Sequence, residues 1–401
     1  MTSTTADTSH AAIPSWITLL LASACGVIVA NIYYAQPLVG PIAASLGISA
    51  HGAGIVVTMT QIGYALGLLL VVPLADLIEN RRLVLVLTLL AALALTGAAL
   101  ATDATVFLFT ALLIGLGSVA VQVLVPYAAH LASDATRGRM VGKVMSGLLL
   151  GIMLARPVSS FLTDLFSWRA VFVVSAIVML IETVVLARAL PPRQPDSSLR
   201  YGALLRSMIT LVVTTKVLRR RALIHACLFG AFSVFWTAAP LLLASPAFGL
   251  SQTGIALFAL TGAAGAIAAP LAGRWGDKGL SQRLTPVAIV LVALAFLLSK
   301  VGAEGSTLSL AALTVAGVVL DFGLVSNLVF SQRAIYAINP AARGRLNGVF
   351  MATFFAGGAI GSALGAWAYV QGGWALASWI GFAAPVCALL YFSSEALRPS
   401  R

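Results

Sequence analysis

Residues 148–162 read LLLGIMLARPVSSFL, an arginine and a proline inside a run that would otherwise dissolve in lipid. A second ionisable residue, Asp321, interrupts VVLDFGLVSNLVF. Charged groups are costly inside a bilayer, and where they persist they mark pathways for ions, protons or substrates. Arg156 is permanently cationic, so it can serve as a counter-charge or hold an anion. Its length also allows it to snorkel towards the surface, and Pro157 frees backbone carbonyls that can accept from it. Asp321 is too short to snorkel. Burial favours its neutral acid and a neighbouring guanidinium favours its carboxylate. A carboxyl whose protonation follows its surroundings is what proton coupling needs. Asp321 is therefore expected to carry the proton, with Arg156 as its partner. The competing reading is a structural carboxyl, held protonated or bonded to backbone. Two other intramembrane groups have blander expectations. Glu182 should pair with Arg188 or its neighbours, and His225 should lie at the interface beside Arg219, Arg220 and Arg221.

Polar and aromatic residues accompany them at mid-depth. Asn31 and Tyr34 are three apart, hence on one helix face, and Gln36 follows a turn later. Gln122 and Tyr127, then Phe232, Phe235 and Trp236, then Asn327 and Gln332 complete the set. Each is a candidate for a substrate cavity, and the Asn and Gln residues have a helix–helix hydrogen-bonding alternative. The aromatic members suit a greasy or aromatic substrate. A different role fits Asp76 with Arg81 and Arg82. These lie at a helix end, where Asp76 could bridge to Arg137 or Arg139 and act as a charged gate that breaks on switching.

The elements that must position these residues follow from composition. The chain is 60% hydrophobic and 9% charged, with a mean hydropathy of +1.02. Soluble chains carry about 25% charged residues. The apolar runs show no strand-like alternation, so the expected class is an all-α integral membrane protein. A spanning helix needs about 20 apolar residues. That ruler gives twelve spans, near 16–37, 53–74, 83–102, 105–130, 140–163, 168–189, 222–244, 253–272, 284–302, 306–332, 346–370 and 374–394. Residues 1–15 are polar and lack a basic region, so the first run reads as a retained span.

The net charge of +12 would suggest nucleic acid in a soluble chain, but here the positions of the charges decide. One set of alternate loops holds Arg81 and Arg82, Arg137 and Arg139, the cluster from Arg193 to Arg221, Arg274, Lys278 and Arg283, Arg333, Arg343 and Arg345, and Arg398 and Arg401. The other set holds Arg169 and Lys300. The positive-inside rule makes the first set cytoplasmic, with both termini inside. The longest connection, 191–221, opens with PPRQPDSS and continues as an apolar-and-basic pattern. An amphipathic helix on the inner leaflet is expected there. It divides the chain into a six-helix bundle at 1–190 and another at 222–401. The three cysteines lie within apolar runs and read as small core residues. With four scattered histidines there is no metal-ligand spacing, so no metal or cofactor is expected.

The halves repeat. ATRGRMVGKVM at 135–145 matches AARGRLNGVFM at 341–351, and the same offset carries Trp168 onto Trp374. GLLLVVPLADLIENRR at 67–82 and GAIAAPLAGRWGDKG at 265–279 both place PLA at the end of the second span of their half. Two matches in corresponding places argue for duplication of a six-span unit. Parallel repeats of this kind leave a site at their interface near the midplane, exposed alternately by rocking.

On these motifs the whole chain resembles the major facilitator superfamily. The stretch 67–82 resembles that family's loop signature between spans two and three. Asp76 and Arg81 fit it, while Leu77, Glu79 and Asn80 depart. The second-half copy has Gly273 in place of the Asp but keeps Arg274 and Gly276. Gly147, Gly151 and Pro157 resemble the fifth-span pattern of the drug/proton antiporter branch, with Arg156 where a Gly is usual. NIYYAQPL at 31–38 resembles a bacterial subgroup of drug or sugar efflux proteins. The resemblance implies that spans one, four, seven and ten line the cavity and that the candidates above face it. It implies proton-coupled efflux of a small amphiphilic or aromatic compound across the bacterial inner membrane, for which a monomer suffices. Symport, or anion transport with Arg156 as ligand, is the rival within transport. A membrane sensor is the rival outside it, and this chain shows no soluble signalling domain. No nucleotide-binding loop or nucleophile elbow occurs, so energy should come from an ion gradient and no enzyme chemistry is expected.

Overall fold

The computed structural model describes residues 15–133, 136–195, 200–339 and 342–396. The polar tail, the end of the PPRQPDSS opening, Ala135 and Ala341 at the head of the two repeats, Arg398 and Arg401 lie outside them. Among the described residues every element is helical. Ten helices are long and apolar enough to cross a bilayer. The last of these, Arg343–Ala396, is two spans joined at Gly372 and Gly373. Gly373 has φ +60° and ψ −159°, a conformation essentially confined to glycine. The first span begins as Ser15–Ala30 and continues through tight turns into Val39–Ser45. With these two adjustments the count is twelve, as the apolar runs predict.

The fifth and seventh spans run further than the apolar ruler allows, as Arg137–Leu165 and Lys216–Ala244. Both extensions carry Arg at the arginine-rich end, and that of the seventh span also carries Lys216. Such side chains keep their heads in water while the helix continues. Helix starts elsewhere are set by side-chain caps. Asp103 accepts from the amide of Val106, and Ser306 from that of Ser309.

Packing repeats between the halves. The first span lies on the fifth and the seventh on the eleventh. The second lies on the fourth and the eighth on the tenth, while the third packs on the sixth. Glycines permit the closest approaches. A Cβ on Gly151 would lie 2.1 Å from the carbonyl oxygen of Gly26, and one on Gly361 would lie 2.1 Å from that of Gly230. The same device thus joins the first span to the fifth and the seventh to the eleventh. Small residues at such crossings let backbones touch.

Gly151→Leu is therefore expected to cost at least the roughly 1–3 kcal/mol typical of overpacking, because backbone cannot yield as a side chain can. Size-exclusion of detergent-solubilised protein should show loss of the folded peak. Gly142→Leu, on the same helix with nothing within 4 Å of its Cβ position, should not.

Between the halves lies the helix Tyr201–Thr214. Leu204 and Met208 face inward, while Ile209 and Val213 are exposed. The Tyr201 hydroxyl donates to the Leu70 carbonyl at 2.6 Å, and Arg345 donates to Ser207 Oγ at 2.8 Å. This one helix thereby touches both halves at the arginine-rich end.

Candidate functional site

The fourth span is interrupted at the single residue Val119, and the first and the eighth lose α-helical geometry over longer interior stretches. After Ala30 the first span continues with three-residue hydrogen bonds: Ile32 to Val29, Tyr33 to Ala30, Gln36 to Tyr33 and Leu38 to Ala35. The broken segment is NIYYAQPL. The eighth span changes from Gln252–Ala259 through a 3₁₀ turn, Leu260–Ala263, into Ala264–Asp277. Irregular backbone at membrane depth is tolerated where it is buried in protein or lines a cavity. In transporters it marks the substrate and ion site.

Arg156 and Asp321 meet at these two breaks. Asp321 lies about 21 Å from one end of its helix and about 22 Å from the other, at 1.5 Å per residue. Arg156 is 1% exposed and Asp321 4%. The snorkelling alternative for Arg156 is thereby corrected, because the side chain turns into the protein. Its Nε donates to Gln36 Oε1 at 2.7 Å. Its guanidinium lies 4.4 Å from the ring centre of Trp236, 5.0 Å from Phe232 and 5.1 Å from Tyr33. The Trp236 indole in turn donates to Asp321 Oδ1 at 3.2 Å. Trp236 thus touches the cation with its face and the carboxylate with its N–H. A Cβ on Gly262, in the eighth-span break, would lie 2.9 Å from Asp321 Oδ2 and 3.2 Å from Arg156 Nη1. These two atoms are thus no further apart than the sum of those distances, about 6 Å. No direct salt bridge within 4 Å joins them. Arg156 Nη2 and Gln36 Nε2 are buried without a hydrogen-bond partner. So are the hydroxyls of Thr237 and Thr261.

Of the ten cavity candidates, the structure brings Gln36, Phe232 and Trp236 to this array. Asn31 and Tyr34 are on the other side of the first span. Asn31 Oδ1 accepts from Ser175 Oγ of the sixth span at 2.6 Å. The two do share a face, as three-apart residues also do in 3₁₀ geometry, but that face meets Ser175 of the sixth span while Gln36 turns to Arg156. The Tyr127 hydroxyl donates to the Pro191 carbonyl at 2.5 Å, at the arginine-rich end. Phe235 packs edge-on against Phe296 and Trp374 inside the second half. Asn327 Nδ2 lies 2.9 Å from His225 Nδ1. His225 is not interfacial: it is buried and stacks on Phe350. Its helix begins at Lys216 rather than near 222, which draws it inward. Glu182 does not pair with Arg188, since both of its carboxyl oxygens are buried without partners. Tyr33, Thr261 and Gly262 were missed, because none carries a charge at neutral pH, the eighth-span break has neither proline nor charge, and the first-span break has a proline only near its end.

Gln122 and Gln332 belong to a second assembly nearer the arginine-rich end. Gln122 Nε2 donates to the Tyr64 hydroxyl at 2.9 Å, and Gln122 Oε1 accepts from Asn347 Nδ2 at 3.4 Å. Asn347 Oδ1 accepts from the Tyr336 hydroxyl at 2.7 Å and from Gln332 Nε2 at 3.4 Å. One asparagine, two residues after the second RGR, thus ties the second and fourth spans to the tenth and eleventh. At the opposite end, Thr58 Oγ1 lies 2.8 Å from Ser362 Oγ, and Thr253 donates to Asp164 at 2.5 Å. The halves meet at both ends, and the charge array is closed to both.

The charged gate is arranged differently from expectation. The cations facing Asp76 are Arg345 and Arg193, not Arg137 or Arg139. Arg137 instead donates to the Ala129 carbonyl at 3.1 Å, and Arg139 is exposed. Arg81 donates to the Ala187 carbonyl, whereas Arg82 and Arg274 are exposed. In the second half Asp277 pairs with Arg333 at 2.7 Å.

Asn347→Ala is expected to loosen the arginine-rich end without unfolding the protein. A single cysteine placed at Gln332 in a cysteine-free background should then react with a membrane-impermeant maleimide at least threefold faster from that side. Unchanged labelling would deny the latch role.

Twelve spans in two pseudo-symmetric halves around a buried, doubly closed site define a multi-pass membrane transporter, not an enzyme. The Major Facilitator Superfamily model matches residues 19–334 and again 222–400. The chain belongs to that superfamily. It is 42% identical over 367 residues to the uncharacterized transporter YgaY of Escherichia coli O157:H7, covering 92% of each chain. It is 32% identical over 392 residues to a Streptomyces coelicolor protein described as a probable transporter, covering 95% of this chain and 87% of that one. Among solved structures, a point mutant of the nucleoside transporter NupG superposes with a TM-score of 0.77 at 14% identity, covering 94% of this chain and 98% of that one. A bacterial homologue of the lysosomal transporter Spinster, inward-facing and unoccupied, gives 0.67 at 15% identity, covering 95% of both. At these identities the structural matches speak to fold alone.

Proposed function

We propose that the chain is a proton-coupled exporter of small aromatic or amphiphilic compounds, working by alternating access in the bacterial inner membrane. The arginine-rich end is cytoplasmic in this reading, and both termini lie inside. The observation that carries it is the Arg156–Trp236–Asp321 array, buried between the halves at two broken spans. Arg156 cannot neutralise, so Asp321 is the one group of the pair whose charge can change. The first-half and second-half bundles rock about this layer. The Asn347 latch and the Asp76–Arg345 approach close the cytoplasmic side, and Thr58 with Ser362 closes the other.

The sense of coupling follows from which charge a substrate uses. A substrate that needs ionised Asp321 is displaced by a proton, which is exchange. A simple anion on Arg156 is favoured when Asp321 is neutral and travels with the proton, which is symport. The unpartnered Arg156 Nη2 keeps this second reading open to test. Purified protein in proteoliposomes, with an imposed pH gradient and a panel of cationic, neutral, zwitterionic and anionic aromatic compounds, separates them. Exchange predicts that substrate moves against the proton flux. Movement with the protons, of anions alone, would replace export by symport.

A further inference from the structure

Resting on the exporter reading, we propose that the site takes a zwitterion: a compound with an ammonium and a carboxylate on one carbon and an aromatic side chain. The donors come first. Arginine has no acceptor, so the atom that Gln36 presents to Arg156 Nε must be its oxygen, at 2.7 Å. The Gln36 amide is thereby turned so that its Nε2 points away, and that Nε2 is buried and unpartnered. Arg156 Nη2 is buried and unpartnered too. Two side chains, one holding the other in orientation, thus present N–H groups with nothing to receive them. Buried donors of this kind are costly to leave unmade, and a carboxylate is the group that satisfies both at once.

The acceptor side is Asp321. Trp236 supplies one N–H to it, and a carboxylate has room for several more. Opposite charges within about 6 Å that do not pair are an arrangement awaiting a bridge. An ammonium and a carboxylate on one carbon complement them in antiparallel sense. The titratable groups facing Asp321 are the Arg156 guanidinium and the Tyr33 phenol. Neither competes with an ammonium as a donor of positive charge already bound to Asp321. The aromatic side chain follows from what adjoins the array. Phe232 stacks on Phe229 at 5.1 Å, Phe229 meets Phe355 at 5.1 Å, and Phe355 meets Tyr64 at 4.4 Å. This run of rings leads from the charges to the Gln122–Asn347 latch, and offset or edge-on contact is what another ring would join. A zwitterion also agrees with exchange, because its ammonium and the proton require the same carboxylate.

Three probes sharing one ring decide it: phenylalanine, its N-acetyl derivative, which is an anion, and its methyl ester, which is a cation. Equilibrium binding to the purified full chain should favour phenylalanine at least tenfold over either derivative. Arg156→Gln should erase the preference over the ester, and Asp321→Asn the preference over the N-acetyl compound. Tryptophan and its two derivatives repeat the series with a larger ring, and melting curves confirm that each variant is folded. Equal or tighter binding of an anion or a cation, or binding of no member of either series, overturns the zwitterion. Proteoliposome flux separates this from the exporter reading. If an N-acetyl compound binds best and still exchanges for protons, only the zwitterion falls. If phenylalanine shows the predicted preference but moves without proton exchange, only the exporter falls.

Discussion

Asp321→Asn is expected to abolish transport driven by a pH gradient, at least a hundredfold, while leaving exchange at equilibrium measurable. The amide keeps the shape of the acid and an oxygen to accept from the Trp236 indole, whose bond to Oδ1 is 3.2 Å. What it removes is the proton. Arg156 is permanently charged, so no other member of the array can record which side the site last faced. Without that record the two halves still rock, but their motion is no longer tied to protons. The check compares two rates in the same proteoliposomes: flux under an imposed pH gradient, and counterflow of labelled substrate with no gradient. Gradient-driven flux at the wild-type rate would remove Asp321 from the coupling mechanism. Loss of both rates together would assign it to substrate binding alone.

The closed conformation explains how such a proton could be guarded. The array lies in a middle layer, between the Thr58–Ser362 contact at one end and the Asn347 hydrogen bonds at the other. The linker helix touches both halves at the latch end, through Leu70 and Arg345. Rocking towards that end must part Asn347 from Gln122 and shift Arg345 relative to Asp76. Hydrogen bonds between neutral amides and phenols are individually modest, roughly 0.5–1.5 kcal/mol net. A gate built from several of them can open without a large penalty. A gate built from buried ion pairs would hold harder, and here the charges near the latch are at the solvent edge.

Much of this was legible in the sequence, for identifiable reasons. Span count, helical class and the duplication follow from apolar length and from motifs such as RGR and PLA, which depend on local composition. Arg156 and Asp321 stood out because a charge in lipid is rare. What the sequence concealed is geometry that composition does not encode. NIYYAQPL has no charge and only one proline, near its end, so it reads as ordinary helix. The unwinding there turns Asn31 towards Ser175 while Gln36 turns to Arg156. The Gly262 turn is hidden in the same way within ALTGAAGA. Asn347 was overlooked because it lies beside the RGR arginines, whose charges drew the gate reading towards Arg137 and Arg139. Long-range partners, such as Gln122 for Asn347, are set by how two bundles dock. No local pattern carries that.

A double-mutant cycle on stability should show that Arg156 and Asp321 act as one unit even though they do not touch. At about 6 Å and an effective dielectric near 20, Coulomb's law gives roughly 3 kcal/mol of attraction. Removing one partner from a buried pair is typically worse than removing both, because it strands an uncompensated charge. The two single variants should not be equivalent. Asp321→Asn strands a guanidinium that cannot neutralise, whereas Arg156→Gln strands a carboxyl that can bind a proton. The cost of Arg156→Gln should therefore shrink as pH falls, and so should the coupling, because protonation of wild-type Asp321 leaves Arg156 with the same neutral partner that Asn supplies. The double variant should be more stable than the sum of the singles predicts, with a coupling of a few kcal/mol at neutral pH. Detergent-denaturation midpoints for the four proteins at two pH values supply the measurement. Additive effects would mean that the Trp236 indole and the Gln36 amide screen the two charges from each other. The array would then be two independent polar sites sharing one aromatic wall.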